Sequence, residues 1–136
     1  MDLLDYDLAA KAEKGAELEL LHPVHYVPFD QIEIKGEKQK PVKLTILGED
    51  STQFIEATRE LGRMSKAGNE LDPLEGNLFI YSRLITGWEN IEESGEPLPF
   101  SQEKAFYVLK KYNWIAAQVK AFAEKRSNFF LNKTSE

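Results

Sequence analysis

Residues 84–130 decide the fold of the C-terminal half, and they read LITGWENIEESGEPLPFSQEKAFYVLKKYNWIAAQVKAFAEKRSNFF. The pattern predicts an apolar helix that ends at Gly87, an acidic loop that starts with Trp88, a capped helix, a break, and a last helix that ends near Phe129. Glycine commonly ends helices because it adopts left-handed backbone angles without strain. This half of the chain is therefore expected to be helical.

Two capping positions organise the helices of this stretch. Ser101 can accept a hydrogen bond from the first turn of a helix, and Phe100 is placed to pack across that turn. Asn113 interrupts the pattern and can cap the last helix. In the acidic loop, Ser94-Gly95 predicts a tight reversal. The apolar positions of the two helices are Ala105, Phe106, Leu109 and Tyr112, then Ile115, Val119, Phe122 and Ala123.

Upstream, Asp72-Pro73-Leu74-Glu75 has the composition of a helix start. Asp72 is the expected N-cap, Pro73 fits the first helical position, and Glu75 completes a capping box. The helix that follows is apolar on too many sides for a surface helix. We therefore expect it to be the central buried helix. Its apolar positions are Leu78, Phe79, Ile80, Tyr81, Leu84 and Ile85.

A change from strand to helix periodicity follows Gly48 and predicts an amphipathic helix lying on a sheet. Asp50 or Ser51 is the expected N-cap. With Asp50 as the cap, Gln53 occupies the third helical position, where the partner of a capping box belongs. The face that turns inward is expected to carry Phe54, Ala57, Thr58, Leu61, Met64 and Ser65.

The N-terminal half combines a helix with extended segments. Residues 3–14 show helical spacing, whereas residues 16–21 and 42–46 alternate between apolar and polar side chains, as half-buried strands do. Residues 24–41 either thicken the sheet or form a projecting arm. The chain is therefore predicted to be an α+β protein, with a small antiparallel sheet or hairpin from its N-terminal half packed against four to five helices and a helical C-terminal half.

Composition bounds the function. The 136 residues suit one domain, here residues 1–130 followed by a frayed tail at 131–136. The apolar runs are too short for a membrane span, and the net charge of -6 argues against binding to nucleic acid or to an anionic membrane. Without cysteine there is no disulfide framework or thiolate metal site, which favours a reducing cytosol. Protein partners are expected.

The sequence offers few residues for catalysis or metal binding. His22 and His25 flank a proline but have no helical H-E-x-x-H spacing, so we expect surface residues and no metal site. The acidic loop lacks the calcium-loop pattern, and acids on a Gly-Pro turn are usually solvated. We expect no catalytic residues, no cofactor and no metal, and we predict that the protein is not an enzyme. The acidic candidates considered are Glu89, Glu92, Glu93 and Glu96.

Two segments carry a family resemblance. Residues 14–51 give a helix end, a glycine, a strand that ends in His-Pro, and a strand that closes in Gly-x-Asp-Ser before a helix. Residues 84–130 give Thr-Gly-Trp, a loop with Gly and Pro, Phe-Ser, two helices and Arg-x-Asn-Phe. In this order the motifs resemble the tail assembly chaperones of long-tailed, non-contractile, lambda-like bacteriophages. The signature residues are Gly48, Asp50, Ser51, Gly87, Trp88, Phe100, Ser101, Arg126, Asn128 and Phe129.

The resemblance implies a non-enzymatic phage or prophage protein of virion morphogenesis. Such proteins bind the tape measure protein and the tail tube protein in the host bacterial cytoplasm, self-associate into rings or spirals, and are absent from the mature virion. The connection from Val24 to Lys40 departs from the family by its length.

Two other functions remain open: a structural head–tail or minor tail protein of the virion, and a small bacterial protein-binding domain. Trp88 and Phe100 are expected to pack in the core and pin the acidic loop. Phe130 lies near the end of the chain, and if it were exposed it would mark a docking surface.

Overall fold

The computed structural model describes residues 1–130, which form six α-helices and three small antiparallel sheets. The predicted α+β class is confirmed, and the C-terminal half is largely helical. The expected tail at 131–136 lies outside the described residues. The helices are α1 (Leu8–Lys14), α2 (Thr52–Lys66), α3 (Pro73–Ser82), α4 (Gln102–Lys111), α5 (Asn113–Glu124) and α6 (Ser127–Phe130). The strands are β1 (Ala16–Glu19), β2 (Glu33–Ile34), β3 (Glu37–Lys38), β4 (Lys43–Ile46), β5 (Ile85–Glu89), β6 (Glu92–Glu93) and β7 (Glu96–Pro97).

The main sheet has the strand order β1-β4-β5, and both pairs are antiparallel. Leu44 in the central strand lies opposite Leu18 on one side and Trp88 on the other. The two strands predicted in the N-terminal half are confirmed, within slightly shorter bounds. Because side chains alternate along a strand, the apolar set faces the helices, and Glu17 and Thr45 face away from the core.

The third strand lies where the sequence predicts a helix, and this prediction is wrong. The buried helix α3 ends at Ser82, and residues 85–89 form β5. Gly87 therefore lies within a strand and does not stop a helix. The physical reason is that β4 gains a second hydrogen-bonded neighbour, with Ile46 opposite Ile85. Both partners are fully buried, and a β-branched side chain such as Ile85 packs well on a pleated surface.

One core lies between the main sheet and helices α3, α4 and α5. Helix α5 supplies Val119 and α4 supplies Leu109, and neither has measurable exposure. By contrast, α2 packs mainly against α3 and not on the sheet as expected. Gly76 of α3 permits this close approach, since a Cβ atom there would lie 3.1 Å from Leu61 of α2. The core members are Leu18, Leu20, Leu44, Ile46, Leu47, Tyr81, Leu84, Ile85, Ala105, Val108, Leu109, Ile115, Ala116, Val119 and Ala123.

Two of the predicted helix caps are confirmed. The Asp72 carboxylate accepts a hydrogen bond from the Glu75 N–H at 2.8 Å, and the Ser101 hydroxyl accepts from the Lys104 N–H at 3.0 Å. Each satisfies a backbone donor that the helix itself leaves unpaired, which contributes about 1 kcal/mol. The predicted capping box is not completed, however, because the Glu75 side chain pairs with Lys110 at 2.9 Å and has no recorded bond to the Asp72 N–H.

The caps expected for α2 and α5 are corrected. Ser51 occupies the N-cap position of α2, but its buried hydroxyl donates to the Gly48 carbonyl at 2.6 Å and makes no cap hydrogen bond. The first N–H of α2, from Thr52, is accepted instead by Glu13 of α1 at 3.2 Å. Asn113 is the first residue of α5 and not its cap. Tertiary contacts thus replace the local capping that the sequence suggested.

Both terminal helices are broken into shorter pieces. A 3-10 turn at Leu3–Tyr6 precedes α1, and Asp7 between them accepts from the Ala10 N–H at 3.1 Å. The last helix ends at Glu124, and α6 follows as a separate turn. The sequence predicted one continuous helix over residues 3–14 and one last helix that ends near Phe129, and both predictions are wrong because each helix is divided in two.

Residues 24–41 form an arm that does not join the main sheet. It contains a 3-10 turn at Phe29–Gln31 and a hairpin of β2 and β3. The hairpin turns at Lys35 and Gly36, whose φ angles are 54° and 81°. The hairpin of β6 and β7 turns in the same way at Ser94 and Gly95, with φ angles of 56° and 80°. Two consecutive positive φ angles are what a type I′ turn requires, so the reversal predicted at Ser94-Gly95 is confirmed.

Candidate functional site

The arm and the β6–β7 hairpin border a groove of about 510 Å³. Its floor is built by the loop after β1, by the residues that lead into β4, and by helices α4 and α5. Two other segments contribute to its lining, and we call them the basic lip (residues 37–40) and the acidic lip (residues 90–93). The residues that line the groove are Leu20, Phe29, Glu37, Lys38, Gln39, Lys40, Val42, Asn90, Ile91, Glu92, Glu93, Leu98, Val108, Tyr112, Trp114 and Ile115.

The floor of the groove is apolar and aromatic. Phe29 from the arm lies against Trp114 of α5, with ring centroids 6.2 Å apart. Tyr112, in the junction between α4 and α5, completes the aromatic part. These three side chains are half-buried and pack against the core, so each keeps part of its surface exposed to solvent. Half-exposed aromatic side chains on a concave surface are typical anchors for protein partners.

The two lips carry opposite charges. The basic lip contains Lys38, Lys40 and Glu37, and the acidic lip contains Glu92 and Glu93. The lips are joined at their bases, where the Asn90 amide donates to the Pro41 carbonyl at 2.8 Å. This bond fixes the position of one lip relative to the other.

Glu93 holds the acidic lip onto α4. Its carboxylate accepts hydrogen bonds from the Tyr107 and Tyr112 hydroxyls, each at 2.6 Å, and lies 3.4 Å from the Lys111 ammonium. These donors, Tyr107 first and Tyr112 second, lower the pKa of Glu93 from 4.5 to about 2. The same contacts raise the pKa of Lys111, through Tyr107 and then Glu93. Glu93 is therefore ionised throughout the physiological range and acts as a structural anchor.

Trp88 and Phe100 position the end of the acidic hairpin, as predicted. The Trp88 indole N–H donates to the Leu98 carbonyl at 2.8 Å, and its ring meets Phe100 edge to face at 5.1 Å. Both side chains are half-buried against the core. Of the signature residues in this half, Trp88, Phe100 and Ser101 thus lie together, whereas Gly87 faces open space on the outer face of the sheet.

Six signature residues meet at a second place, where the loop before α2 touches α5 and α6. Arg126 makes a two-point ion pair with Asp50, at 2.8 and 3.0 Å, which raises the pKa of the guanidinium. Gly48 lies directly under the Phe129 ring, which is buried and meets Phe122 edge to face. The remaining two, Ser51 and Asn128, bond to backbone carbonyls: Ser51 to Gly48 at 2.6 Å and Asn128 to Phe122 at 3.0 Å. These residues fasten the C-terminal helices to the loop.

Phe130 does not form the exposed docking position that was considered. It is half-buried, its ring stacks on Tyr6 at 5.6 Å between centroids, and Lys11 lies over it at 5.1 Å. The N-terminal turn therefore covers it.

A polar cluster that the sequence did not reveal lies beside Arg126. The buried Tyr81 hydroxyl donates to Glu49, and Glu124 lies 3.4 Å from it. Lys120 pairs with Glu124 at 2.5 Å. Burial and then the hydrogen bond to Glu49 raise the pKa of Tyr81, so it remains a neutral donor. The cluster binds the loop before α2 to α5.

The histidines are engaged locally. His22 Nδ1 accepts hydrogen bonds from the backbone N–H groups of Val24 and His25, at 3.1 and 3.2 Å, and the two imidazole rings stack at 4.8 Å. Among residues 1–130, no group of three or more His, Asp or Glu side chains is arranged to hold a metal ion. His22 therefore acts as a turn-stabilising acceptor.

The groove was not predicted, although one signal pointed to it. Trp114 lies beside the apolar stripe of the last helix and not on it, and a large aromatic side chain away from a core stripe often marks a contact surface. Lys38 and Lys40 have the local sequence of a solvated loop. Their role in the lip depends on where the arm folds, which local sequence does not specify.

Comparison with known families adds one finding. A family model described as YdaY prophage protein matches residues 52–136, which is more than half of the chain. The chain belongs to the YdaY prophage protein family. This match supports the predicted phage origin, whereas the narrower resemblance to tail assembly chaperones stays a prediction. No curated protein and no solved structure matches the chain. In the described part of this YdaY-family protein, no helix has the length and apolar character needed to cross a membrane.

Proposed function

We propose that this YdaY-family protein is a non-enzymatic tail assembly chaperone. It binds the tape measure protein and the tail tube protein in the host cytoplasm, self-associates during tail assembly, and leaves before the virion is complete. The observation that carries the proposal is the groove, whose lining combines half-exposed aromatic side chains with charged ones.

The groove suits a partner that must be kept soluble. A tape measure protein is a long helical chain with exposed apolar stripes, and such stripes associate unless they are covered. The floor around Phe29 and Trp114 offers apolar cover, and the net charge of -6 keeps the covered complex dispersed. The Glu93 carboxylate in the groove is held by the Tyr107 and Tyr112 hydroxyls, so this acidic group serves the fold, and the groove fits binding better than catalysis.

Co-expression with the tape measure protein tests the proposal. The wild-type chain should keep the tape measure protein in the soluble fraction and copurify with it. The double variant Phe29→Ala/Trp114→Ala should weaken the interaction roughly tenfold or more, because aromatic anchors dominate the free energy of such interfaces. A folded control is Ile55→Ala/Leu74→Ala, which removes exposed apolar side chains outside the groove (51% and 66% exposed).

A second experiment separates the chaperone from a virion component. Purified mature particles should lack the chain while tails fail to assemble when its gene is deleted. A stoichiometric amount of the chain in particles would contradict the proposal and favour a structural head–tail or minor tail function. If the folded groove variant retained full binding, the groove would not be the binding surface.

A further inference from the structure

The outer edge of strand β1 has no neighbouring strand among the described residues, because β1 lies at the end of the sheet order β1-β4-β5. Opposed residues of an antiparallel pair alternate between those that exchange backbone hydrogen bonds and those that do not. The Leu20 N–H donates to the Val42 carbonyl at 2.8 Å, so every second residue of β1, counted back from Leu20, directs its backbone groups toward β4. Glu17 and Glu19 lie between these residues and direct their N–H and C=O groups outward.

Both ends of this outer edge are closed by the protein's own groups. At one end the Gly15 N–H bonds to a carbonyl of α1 at 3.2 Å. At the other end the Gln118 side chain of α5 accepts from the Leu21 N–H and donates to the Leu21 carbonyl, both at 2.9 Å, as a neighbouring strand would. Between the ends, no residue in the described part of the chain bonds to the outward backbone groups of Glu17 and Glu19. The middle of the edge is therefore open.

The outer face of the main sheet carries charges that alternate in sign from strand to strand. Lys43 in β4 lies opposite Glu19 of β1 on one side and opposite Glu89 of β5 on the other. The Lys43 ammonium also lies 3.8 Å from the Glu17 carboxylate. Opposite charges in directly opposed positions stabilise a sheet, and like charges destabilise it. A residue added beside Glu19 therefore continues the alternation if it is basic.

We propose that the open edge of β1 binds an extended segment of a partner protein in which basic residues alternate with apolar ones. The segment adds a fourth strand to the main sheet, with its basic residues on the outer face beside Glu17 and Glu19. In strand addition, backbone hydrogen bonds supply affinity and alternate side chains supply specificity. A second copy of β1 fits less well, because antiparallel pairing of two copies would place glutamates opposite glutamates.

This surface is separate from the surface of the proposed function. Neither Glu17 nor Glu19 lines the groove, so a partner on the edge of β1 leaves the groove unoccupied. The two surfaces can therefore be tested independently.

Amide hydrogen exchange of the free chain tests the geometry of the edge. The N–H groups of Leu18 and Leu20 should exchange slowly because they bond to β4, whereas those of Glu17 and Glu19 should exchange fast. A capped peptide of about seven residues, in which lysine and valine alternate, then serves as the probe, since this is an ordinary strand length. It should slow the exchange of Glu17 and Glu19 and leave that of Leu18 and Leu20 nearly unchanged.

Control peptides separate strand addition from charge attraction. Lysines placed opposite Glu17 and Glu19 point their N–H groups at β1, so methylating the lysine nitrogens of the peptide backbone should weaken binding roughly tenfold or more. Methylating the valine nitrogens instead removes N–H groups that face away from β1, and it should change the affinity by less than about twofold. A peptide with glutamate in place of lysine should not bind, because it opposes like charges.

Two protein variants test the backbone and the charge separately. Glu17→Pro removes an outward N–H and keeps the bonds from β1 to β4, since proline is accepted on an edge strand where the N–H faces solvent. It should weaken binding roughly two- to tenfold. Glu19→Gln should weaken binding roughly two- to fivefold, and less at high salt. Glu33→Gln on the hairpin of the arm removes the same charge from another exposed strand and should leave the affinity unchanged.

Several results would overturn the proposal. These are no binding of the lysine–valine peptide, unchanged exchange of Glu17 and Glu19 in its presence, or equal binding of the peptide methylated on its lysines. Slower exchange of Glu17 as the protein concentration rises, without any peptide, would instead identify the occupant as a second copy. If Glu17→Pro did not fold, the methylated peptides would still decide the matter on the wild-type chain. The chaperone proposal fails on different grounds, namely loss of tape measure binding or presence in the virion.

Discussion

Replacing Gly48 by alanine should destabilise the protein by about 2 kcal/mol. A Cβ atom on Gly48 would lie 2.8 Å from the Ala12 Cβ and 3.1 Å from two ring atoms of Phe129. The first distance is shorter than carbon atoms tolerate, and the Gly48 N–H donates to the Ala12 carbonyl at 3.1 Å, which restrains the backbone from moving away. Overpacking of this kind costs ~1–3 kcal/mol. For a domain of this size the melting temperature should fall by about 8 °C.

Two other glycines serve as matched controls. Gly87 in β5 and Gly62 in α2 have no atom within 4 Å of the position that a Cβ atom would take, and neither has a positive φ angle. Gly87→Ala should leave the melting temperature nearly unchanged. Gly62→Ala should raise the stability by roughly 0.5–1 kcal/mol, because alanine loses less backbone entropy than glycine in a helix.

The stability of all three variants is measured by circular dichroism during thermal and urea denaturation. The double variant Ala12→Gly/Gly48→Ala removes the shortest contact, so it should be more stable than the sum of the single effects predicts. The steric argument would be refuted if Gly48→Ala had the melting temperature of the wild type, or if Gly87→Ala lost as much stability as Gly48→Ala.

Three further predictions concern the polar contacts. Arg126→Lys should lower the urea midpoint despite keeping the charge, since lysine cannot make the two-point pair with Asp50, and the loss should be smaller at high salt. Glu93→Gln should make the stability of the fold less dependent on pH. The pKa of Glu93 is lowered from 4.5 to about 2, so its carboxylate stabilises the fold above about pH 4.5, and this contribution is lost as the pH falls toward 2. The urea midpoints of the wild type and of Glu93→Gln should therefore converge as the pH falls from 4.5 toward 2. A constant difference between the two midpoints would contradict the lowered pKa of Glu93. Trp88→Phe should cost about 1 kcal/mol because the Leu98 carbonyl loses its donor, whereas wild-type stability would show that water replaces the indole N–H.

The elements that the sequence predicted correctly are those whose signals are local. Asp72 and Ser101 cap their helices through bonds to residues three positions away, so a short window contains the whole interaction. The Ser94-Gly95 turn is equally local, because its two positive φ angles depend on the residues at the turn itself. Such features need no knowledge of the rest of the fold.

Strand β5 shows where local inference fails. Leu84 and Ile85 continue an apolar run out of α3, and a fully buried strand cannot be distinguished from a buried helix by periodicity alone. The strand forms because β4, some forty residues earlier, offers an unpaired edge. The Leu47 N–H also bonds to the Leu84 carbonyl at 2.8 Å, which fixes the start of the strand from outside. The adjacent β-branched residues Ile85 and Thr86 were the local indication that the segment forms a strand.

The groove and the contacts between the loop before α2 and the C-terminal helices could not be predicted, for the same reason. The signature residues were found as separate motifs, and the sequence contains no distance between Asp50 and Arg126, which are 76 positions apart. Likewise the basic and acidic lips are each recognisable as turns, but only the fold brings them to the same groove as Trp114. The Asn90–Pro41 bond that joins them spans 49 positions.

The range matched by the family model does not coincide with a packing unit. Within the described residues, the main sheet has β5 inside the matched range and its neighbours β1 and β4 outside it. A chain limited to the matched range would expose the buried face of β5 and would leave Arg126 without Asp50. The N-terminal segment is therefore a structural requirement of this protein. Because the same segment also supplies the arm and the basic lip, part of the groove lies outside the matched range and depends on the N-terminal segment for its shape.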